Sequence, residues 1–149
     1  MTDQRQFIRD FMAARRVGVL ATVAQKHPHQ SLMAFAVTAD LSRIVLATPR
    51  STRKYGNLQQ RQAVSLLVDD RTNTPKDLAE AVAVTAYGVC SPICTEDREQ
   101  LLSLYLDKHP FMDDFATSPG CVLLVVDVER YEVIERFQNV TMVYPEGCE

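Results

Sequence analysis

Three short β-rich segments follow one another early in the chain, and only short turns separate them. They cover residues 17–23 (Val-Gly-Val-Leu-Ala-Thr-Val), about 31–38, and 43–48 (Arg-Ile-Val-Leu-Ala-Thr). Connections of this length join antiparallel neighbours, because a parallel crossover needs roughly a dozen residues or more. The sequence therefore predicts that the fold starts as an antiparallel meander.

Three more strands are predicted further along, and no strand–helix–strand periodicity runs through the chain. The later strands are expected at 63–68, 82–89 and 122–137, and amphipathic or polar helices at 3–15, 50–62 and 95–108. Thr2 and Thr95 are the expected helix caps. This pattern is typical of a mainly β (α+β) protein, with six strands in an antiparallel barrel or curved sheet and peripheral helices.

The last predicted strand changes its pattern partway along. The apolar positions shift from Val126 and Val128 to Tyr131 and Val133, so they change parity. Because side chains alternate strictly between the two faces of a strand, this shift predicts a β-bulge near Glu129 and Arg130.

Length and charge exclude several classes of protein. The 149 residues are enough for one domain, expected to span 1–149, and the net charge of -3 disfavours generic nucleic-acid binding. No apolar run approaches the roughly 18–20 residues of a membrane span, and no signal-peptide pattern opens the sequence, so we expect a cytoplasmic protein. Its four cysteines are expected to be reduced.

A compact cationic cluster follows the third strand. Residues 48–54 read Thr-Pro-Arg-Ser-Thr-Arg-Lys, with three cations and three hydroxyls, where a strand gives way to a helix. A helix start offers unpaired N–H groups and positive dipole potential, which suits a phosphate monoester. A solvated basic helix face has the same composition, so the residues alone leave both interpretations open.

This segment and the strand before it carry a family resemblance. Gln30–Phe35 in the second strand, Ala47-Thr48 at the end of the third, Ser51-Thr52-Arg53-Lys54 and Asn57-Leu58 together resemble the pyridoxamine 5'-phosphate oxidase-like proteins. The resemblance covers about residues 10–135. It implies an FMN-binding split β-barrel.

The resemblance also implies a cofactor site. The FMN phosphate would be held by Arg53 and Lys54, with Thr48, Ser51 and Thr52 at positions that contact phosphate or ribityl oxygens. The flavin ring would lie along the backbone of Ser31, Leu32 and Met33. In the family each flavin lies at a homodimer interface, so the resemblance implies a homodimer that acts on a small-molecule substrate.

Two departures from the family's pattern bear on the substrate. The true oxidases carry a C-terminal Arg-x-His element for the substrate phosphate, whereas residues 135–139 read Glu-Arg-Phe-Gln-Asn. They also place a polar side chain early in the fifth strand, where this chain reads Ala-Val-Ala-Val at 81–84. We therefore do not expect pyridoxamine phosphate to be the substrate.

The leading hypothesis is an FMN-binding oxidoreductase in which the flavin performs the redox step, so no catalytic side chain is named. The alternatives are a deazaflavin-dependent reductase, a non-catalytic relative that uses haem or carries flavin, and a structural dimer whose basic segment is only solvated.

The remaining histidines, cysteines and acids give weaker signals. His27 and His29 flank Pro28 in a turn, although His29 is close to the proposed flavin strand. Cys90 and Cys94 have no nearby residues that would complete a zinc site, so no metal is expected. His109 is explained by a helix end before Pro110. The pair Asp113-Asp114 is explained by a helix terminus.

Overall fold

The computed structural model of the protein describes residues 3–136 and 139–147. Its strands are β1 (Val17–Val23), β2 (Pro28–Ala34), β3 (Ala36–Val37), β4 (Arg43–Pro49), β5 (Ala63–Asp69), β6 (Val82–Pro92), β7 (Cys121–Glu135) and β8 (Asn139–Val143). Its helices are α1 (Gln4–Ala14), α2 (Arg53–Gln60), α3 (Asp77–Glu80), α4 (Thr95–Lys108) and α5 (Asp113–Ala116), with a 3-10 turn at Pro110–Met112.

The strands form one antiparallel sheet in the order β2-β1-β5-β6-β7-β4-β3, and β8 pairs with the second half of β7. Although β2 and β3 lie at opposite ends of this order, they are consecutive in the chain, so the sheet has to curl until its ends meet. Among the described residues β2 pairs with β1 alone and contacts β4 across a gap. This gap between β2 and β4 is the split of the barrel.

The predicted mainly β architecture is confirmed, but the strand count is wrong, because the described part of the chain forms eight strands rather than six. The predicted second strand divides at Phe35, whose carbonyl lies 2.8 Å from Nε2 of His109 instead of pairing with a neighbouring strand. The eighth strand, β8, was not predicted. Phe137, where the last predicted strand ends, lies outside the described residues.

The predicted bulge is confirmed. Tyr87 of β6 pairs with Arg130 and the next residue, Gly88, pairs with Val128, so Glu129 is the extra residue on β7. Gly88 allows the close approach, since a Cβ at this position would lie 2.3 Å from the carbonyl oxygen of Asp127.

Both predicted helix caps are wrong. Asp3 caps α1, because its carboxylate accepts the N–H of Arg5 at 3.0 Å, and Thr2 lies outside the described residues. Helix α4 is preceded by Cys94, whose extended backbone makes it the N-cap and leaves Thr95 as the first helical residue. The helices themselves form close to the predicted ranges.

Two clusters of buried side chains hold the sheet and helices together. The larger fills the inside of the curled sheet and includes the buried face of α1 and Leu58 of α2. The smaller lies between β3, β4, β7 and α4, and contains Leu101 and Tyr105. Since Leu58 belongs to the inner cluster, α2 is fixed at the split of the barrel, next to β1 and β2.

Candidate functional site

The cationic cluster lies where β4 ends and α2 begins. Thr52 is the N-cap of α2, because its side-chain oxygen accepts the N–H of Tyr55 at 3.4 Å. The Thr52 hydroxyl donates to the carbonyl of Pro49 at 3.0 Å. A side chain that binds both the strand end and the helix start fixes the direction in which α2 leaves the sheet.

Thr48 lies beneath this cap. It is fully buried in β4, and its hydroxyl oxygen lies 2.9 Å from that of Thr52. Both hydroxyls also lie within hydrogen-bond distance of the Pro49 carbonyl, Thr52 at 3.0 Å and Thr48 at 3.4 Å, so either can be the donor in the pair. Thr48 therefore positions Thr52.

The three cations of the cluster have different surroundings. Arg50 donates its N–H to the Gly120 carbonyl at 2.9 Å and its guanidinium to the Pro119 carbonyl, so it ties the cluster to the loop before β7. Arg53 and Lys54 form no side-chain hydrogen bond or ion pair within the part of the chain that the structure describes. These two cations are available to an anion.

The backbone of the same turn adds donors. Arg53 and Lys54 are the first two residues of α2, and neither N–H has an acceptor in residues 3–136 or 139–147. The positive end of the helix dipole coincides with these N–H groups and with both side-chain charges. This combination can bind one phosphate group.

The other predicted site residues lie on β2, at the open side of the barrel. Side chains alternate along this strand, so Met33 is buried toward the inside whereas Leu32 is 71% exposed on the opposite face. The hydroxyl oxygen of Ser31 is buried and has no hydrogen-bond partner in the described residues. With one edge unpaired, the backbone of β2 can also bind a ligand there.

Helix α2 contacts the β1–β2 pair. Asn57 Nδ2 donates to the Thr22 hydroxyl at 3.1 Å, and Thr22 is opposite His29 in the β1–β2 pairing. Sequence reasoning missed Asn57 as a positioning residue; the signal was an amide next to the buried Leu58 in a short helix. This contact places α2, whose first residues are Arg53 and Lys54, next to β1 and β2.

The thiols and histidines have other surroundings. Burial raises the pKa of Cys90 to about 12 and also raises the pKa of Cys121, while a hydrogen bond to the Asp97 carboxylate raises that of Cys94. Burial lowers the pKa of His109, whose Nε2 lies against the Phe35 carbonyl. His27 is exposed and His29 is half-buried. Within the described ranges, no three His, Cys, Asp or Glu residues are grouped so that they could hold a metal ion.

The sequence matches the profile of the pyridoxamine 5'-phosphate oxidase family over residues 5–135. The chain belongs to this family. The predicted resemblance is therefore confirmed over nearly the range expected. A search of curated protein sequences finds no match.

Several solved structures have the same fold as this chain. A haem-binding protein from Mycobacterium smegmatis has a TM-score of 0.84 at 17% identity, and the match covers 97% of this chain and 59% of that one. The chain therefore spans less than two thirds of that protein. A FAD-binding protein from Mesorhizobium loti has a TM-score of 0.69 at 15% identity, with 89% and 94% of the two chains covered.

A third structure comes from Clostridium acetobutylicum and is described as related to general stress protein 26, of the pyridoxinephosphate oxidase family. Its TM-score is 0.72 at 13% identity, with 94% of this chain and 93% of that chain covered. Identities this low show a shared split-barrel fold and nothing more specific. No helix in residues 3–136 and 139–147 is long and apolar enough to cross a membrane.

Proposed function

We propose that the protein binds FMN at the split of the barrel and is an FMN-dependent oxidoreductase for a small molecule. The observation that carries this proposal is the pair of unpaired cations, Arg53 and Lys54, in the first turn of α2. They follow the end of β4, and α2 contacts β2, which has one edge without a pairing strand in the described residues. Charge, free N–H groups and hydroxyls converge there.

The phosphate subsite has the composition of a site for a single monoester. Arg53 and Lys54 supply charge-assisted hydrogen bonds, and the hydroxyls of Ser51 and Thr52 lie in the same turn. Thr48 acts through Thr52, because its own hydroxyl is buried beneath the cap. A single helix start with two free cations favours FMN over a dinucleotide, which carries a second phosphate.

The ring subsite is the stretch Ser31, Leu32 and Met33 of β2. Backbone groups on its free edge bind the polar edge of the ring, and the unpartnered Ser31 hydroxyl adds a further donor. A bound flavin supplies the transfer of electrons or hydride, while the protein binds, orients and tunes it. The residues therefore fit the cofactor, and none of them has to act as an acid or base.

A second copy of the chain would complete this site. Large apolar side chains remain exposed on the outer face of the β1–β2 pair, among them Val17 (47%), Val23 (36%) and Leu32 (71%). An exposed apolar face of this kind favours a protein partner. We propose a homodimer that buries this face and encloses the flavin between the subunits.

The first experiment is the visible spectrum of the purified protein, followed by mass spectrometry of any ligand released on denaturation. We expect flavin absorption and the mass of FMN. If the released ligand has the mass of a deazaflavin, the cofactor is that deazaflavin and not FMN. A chain that is colourless and remains so after incubation with FMN would contradict the proposal.

Haem is the second candidate, because the fold is similar to that of a protein described as haem-binding. A haem iron needs an axial ligand, and His29 is the best-placed histidine, since its Nδ1 is buried without a partner in the described residues. His109 is committed to Phe35 through its Nε2. A Soret band that is lost in His29→Ala would favour haem over flavin.

Turnover separates an oxidoreductase from a flavin carrier. We expect NADH or NADPH to reduce FMN on the protein faster than it reduces free FMN in stopped-flow measurements. Equal rates for bound and free flavin would indicate a carrier.

A further inference from the structure

One cavity is lined by none of the residues of the proposed flavin site. It lies between α1, β3 and α4 and has a volume of about 520 Å³. Its walls are mainly apolar, formed by Met12, Ala13, Ala36, Val37 and Leu104. Small-molecule sites in proteins have volumes of roughly 300–1,000 Å³ and a few polar groups among apolar walls.

The polar group that distinguishes this cavity is Lys108, at the end of α4. Its Nζ donates to the carbonyl of Met12 at 2.9 Å and lies 3.9 Å from the centre of the Phe35 ring. The side chain is half-buried, and it forms no ion pair with a carboxylate in the described residues. Of the three N–H donors of this ammonium, one has an acceptor among residues 3–136 and 139–147.

The other charged groups around the cavity do not neutralise Lys108. Arg9 is bound to the Ala39 carbonyl at 2.6 Å and to Glu146 at 3.4 Å, and Asp10 accepts from Gln6 at 2.9 Å. Asp107 is exposed at the rim. Burial alone lowers the pKa of Lys108 to about 8, with no offset from a neighbouring carboxylate.

The geometry points to a binding site for a small amphiphilic carboxylate, with its apolar part against α1, β3 and Leu104 and its carboxylate at Lys108. A half-buried cation without a counterion is stabilised by an anion that brings its own apolar surface. The two unused donors of Nζ suit a carboxylate. A neutral ligand of the same shape would gain only from the apolar walls.

Octanoate and 1-octanol are a matched pair of probes, since they share a chain length and differ in charge. We expect calorimetric titration at pH 7 to show octanoate binding about tenfold more tightly than octanol, as one charge-assisted hydrogen bond allows. Lys108→Met should remove this preference, because it keeps the apolar stem and loses the charge. Lys76→Met, which removes an exposed lysine elsewhere, should not.

A second variant keeps the test independent of Lys108. Ala13→Leu places a larger side chain from the exposed edge of α1 into the cavity and should weaken both ligands by a similar factor. Binding of octanoate should also raise the pKa of Lys108, which can be followed by NMR of the side-chain amine. Equal affinity for the two probes, no binding of either, or an unchanged preference in Lys108→Met would overturn the inference.

Discussion

The hydroxyl oxygens of Thr48 and Thr52 lie 2.9 Å apart, one fully buried in β4 and the other at the N-cap of α2. This contact joins the core of the sheet to the turn that carries Arg53 and Lys54. The contact between buried Thr48 and the N-cap Thr52 therefore fixes the position of the turn that carries the two cations, and the first turn of α2 is preorganised for an anion.

Removing the Thr52 hydroxyl should weaken both the helix and the phosphate subsite. Thr52→Val keeps the side-chain shape but loses the cap on Tyr55, which costs about 1 kcal/mol of unfolding free energy. We also expect weaker FMN binding. The measurements are urea unfolding and FMN titration, with Thr95→Val as the control, because Thr95 is exposed and its hydroxyl has no hydrogen bond in the described residues. Equal effects in the two variants would contradict the role of Thr52.

Gly88→Ala should disrupt the bulge between β6 and β7. The new Cβ would lie 2.3 Å from the Asp127 carbonyl oxygen and 2.9 Å from Val126 Cγ1, so backbone has to move. We expect a loss of about 1–3 kcal/mol in unfolding free energy. In Gly56→Ala the added Cβ meets nothing within 4 Å, and removal of a helical glycine should leave stability equal or higher. A Gly88→Ala variant as stable as the parent would show that the bulge relaxes freely.

Tyr131→Phe should destabilise the fold through a single atom. The buried hydroxyl of Tyr131 donates to the Leu41 carbonyl at 2.7 Å, at a turn where Leu41 has a φ of 67°. Removing it leaves a buried carbonyl without this partner, at a cost of about 1–3 kcal/mol. Tyr144→Phe, at an exposed position, is the control. If both variants unfold at the same urea concentration, the Tyr131 hydrogen bond does not stabilise the protein.

Because the Cys90 thiol is buried, we expect the free energy of unfolding to decrease at alkaline pH. Its thiol has a pKa of about 12 in the fold, because of burial, against 9.0 when exposed. Above pH 9 the unfolded chain loses this proton while the folded chain keeps it. The contribution of the Cys90 thiol to the free energy of unfolding is therefore complete below pH 9 and decreases as the pH rises from 9 to about 12. The slope for one group is about 1.4 kcal/mol per pH unit. Unfolding of Cys90→Ala should depend less steeply on pH in this window, and an identical slope would contradict the assignment.

Local patterns in the sequence were sufficient for most of the sheet. The bulge at Glu129 followed from a change in apolar parity, and a helix after Pro49 followed from a change in composition, although α2 begins at Arg53 and not at the predicted residue 50. Both features depend on neighbouring residues. The break of the predicted second strand at Phe35 depends on a distant residue instead. The Phe35 carbonyl lies against His109, which is 74 residues away in the chain.

Strand β8 was missed for a related reason. Val140 and Met142 of β8 are apolar but exposed, whereas Thr141 pairs with Val133 on β7. The apolar alternation therefore marks the exposed face of β8, and the face that is buried carries Thr141 and Val143. At the candidate site, the sequence pointed to the cations and hydroxyls, but not to the pairing of Thr48 with Thr52 or to the unpartnered Ser31 hydroxyl, which depend on tertiary packing.

The most direct test of the proposed function is the affinity for FMN after the two free cations are removed together. In Arg53→Ala/Lys54→Ala the phosphate loses both charged partners, and at about 1.5–3 kcal/mol for each charge-assisted hydrogen bond we expect the dissociation constant to rise by at least about 100-fold. Lys76→Ala/Arg98→Ala removes the same charge from exposed positions elsewhere and should bind FMN like the parent. An unchanged dissociation constant in the Arg53→Ala/Lys54→Ala protein would contradict the assignment of this site.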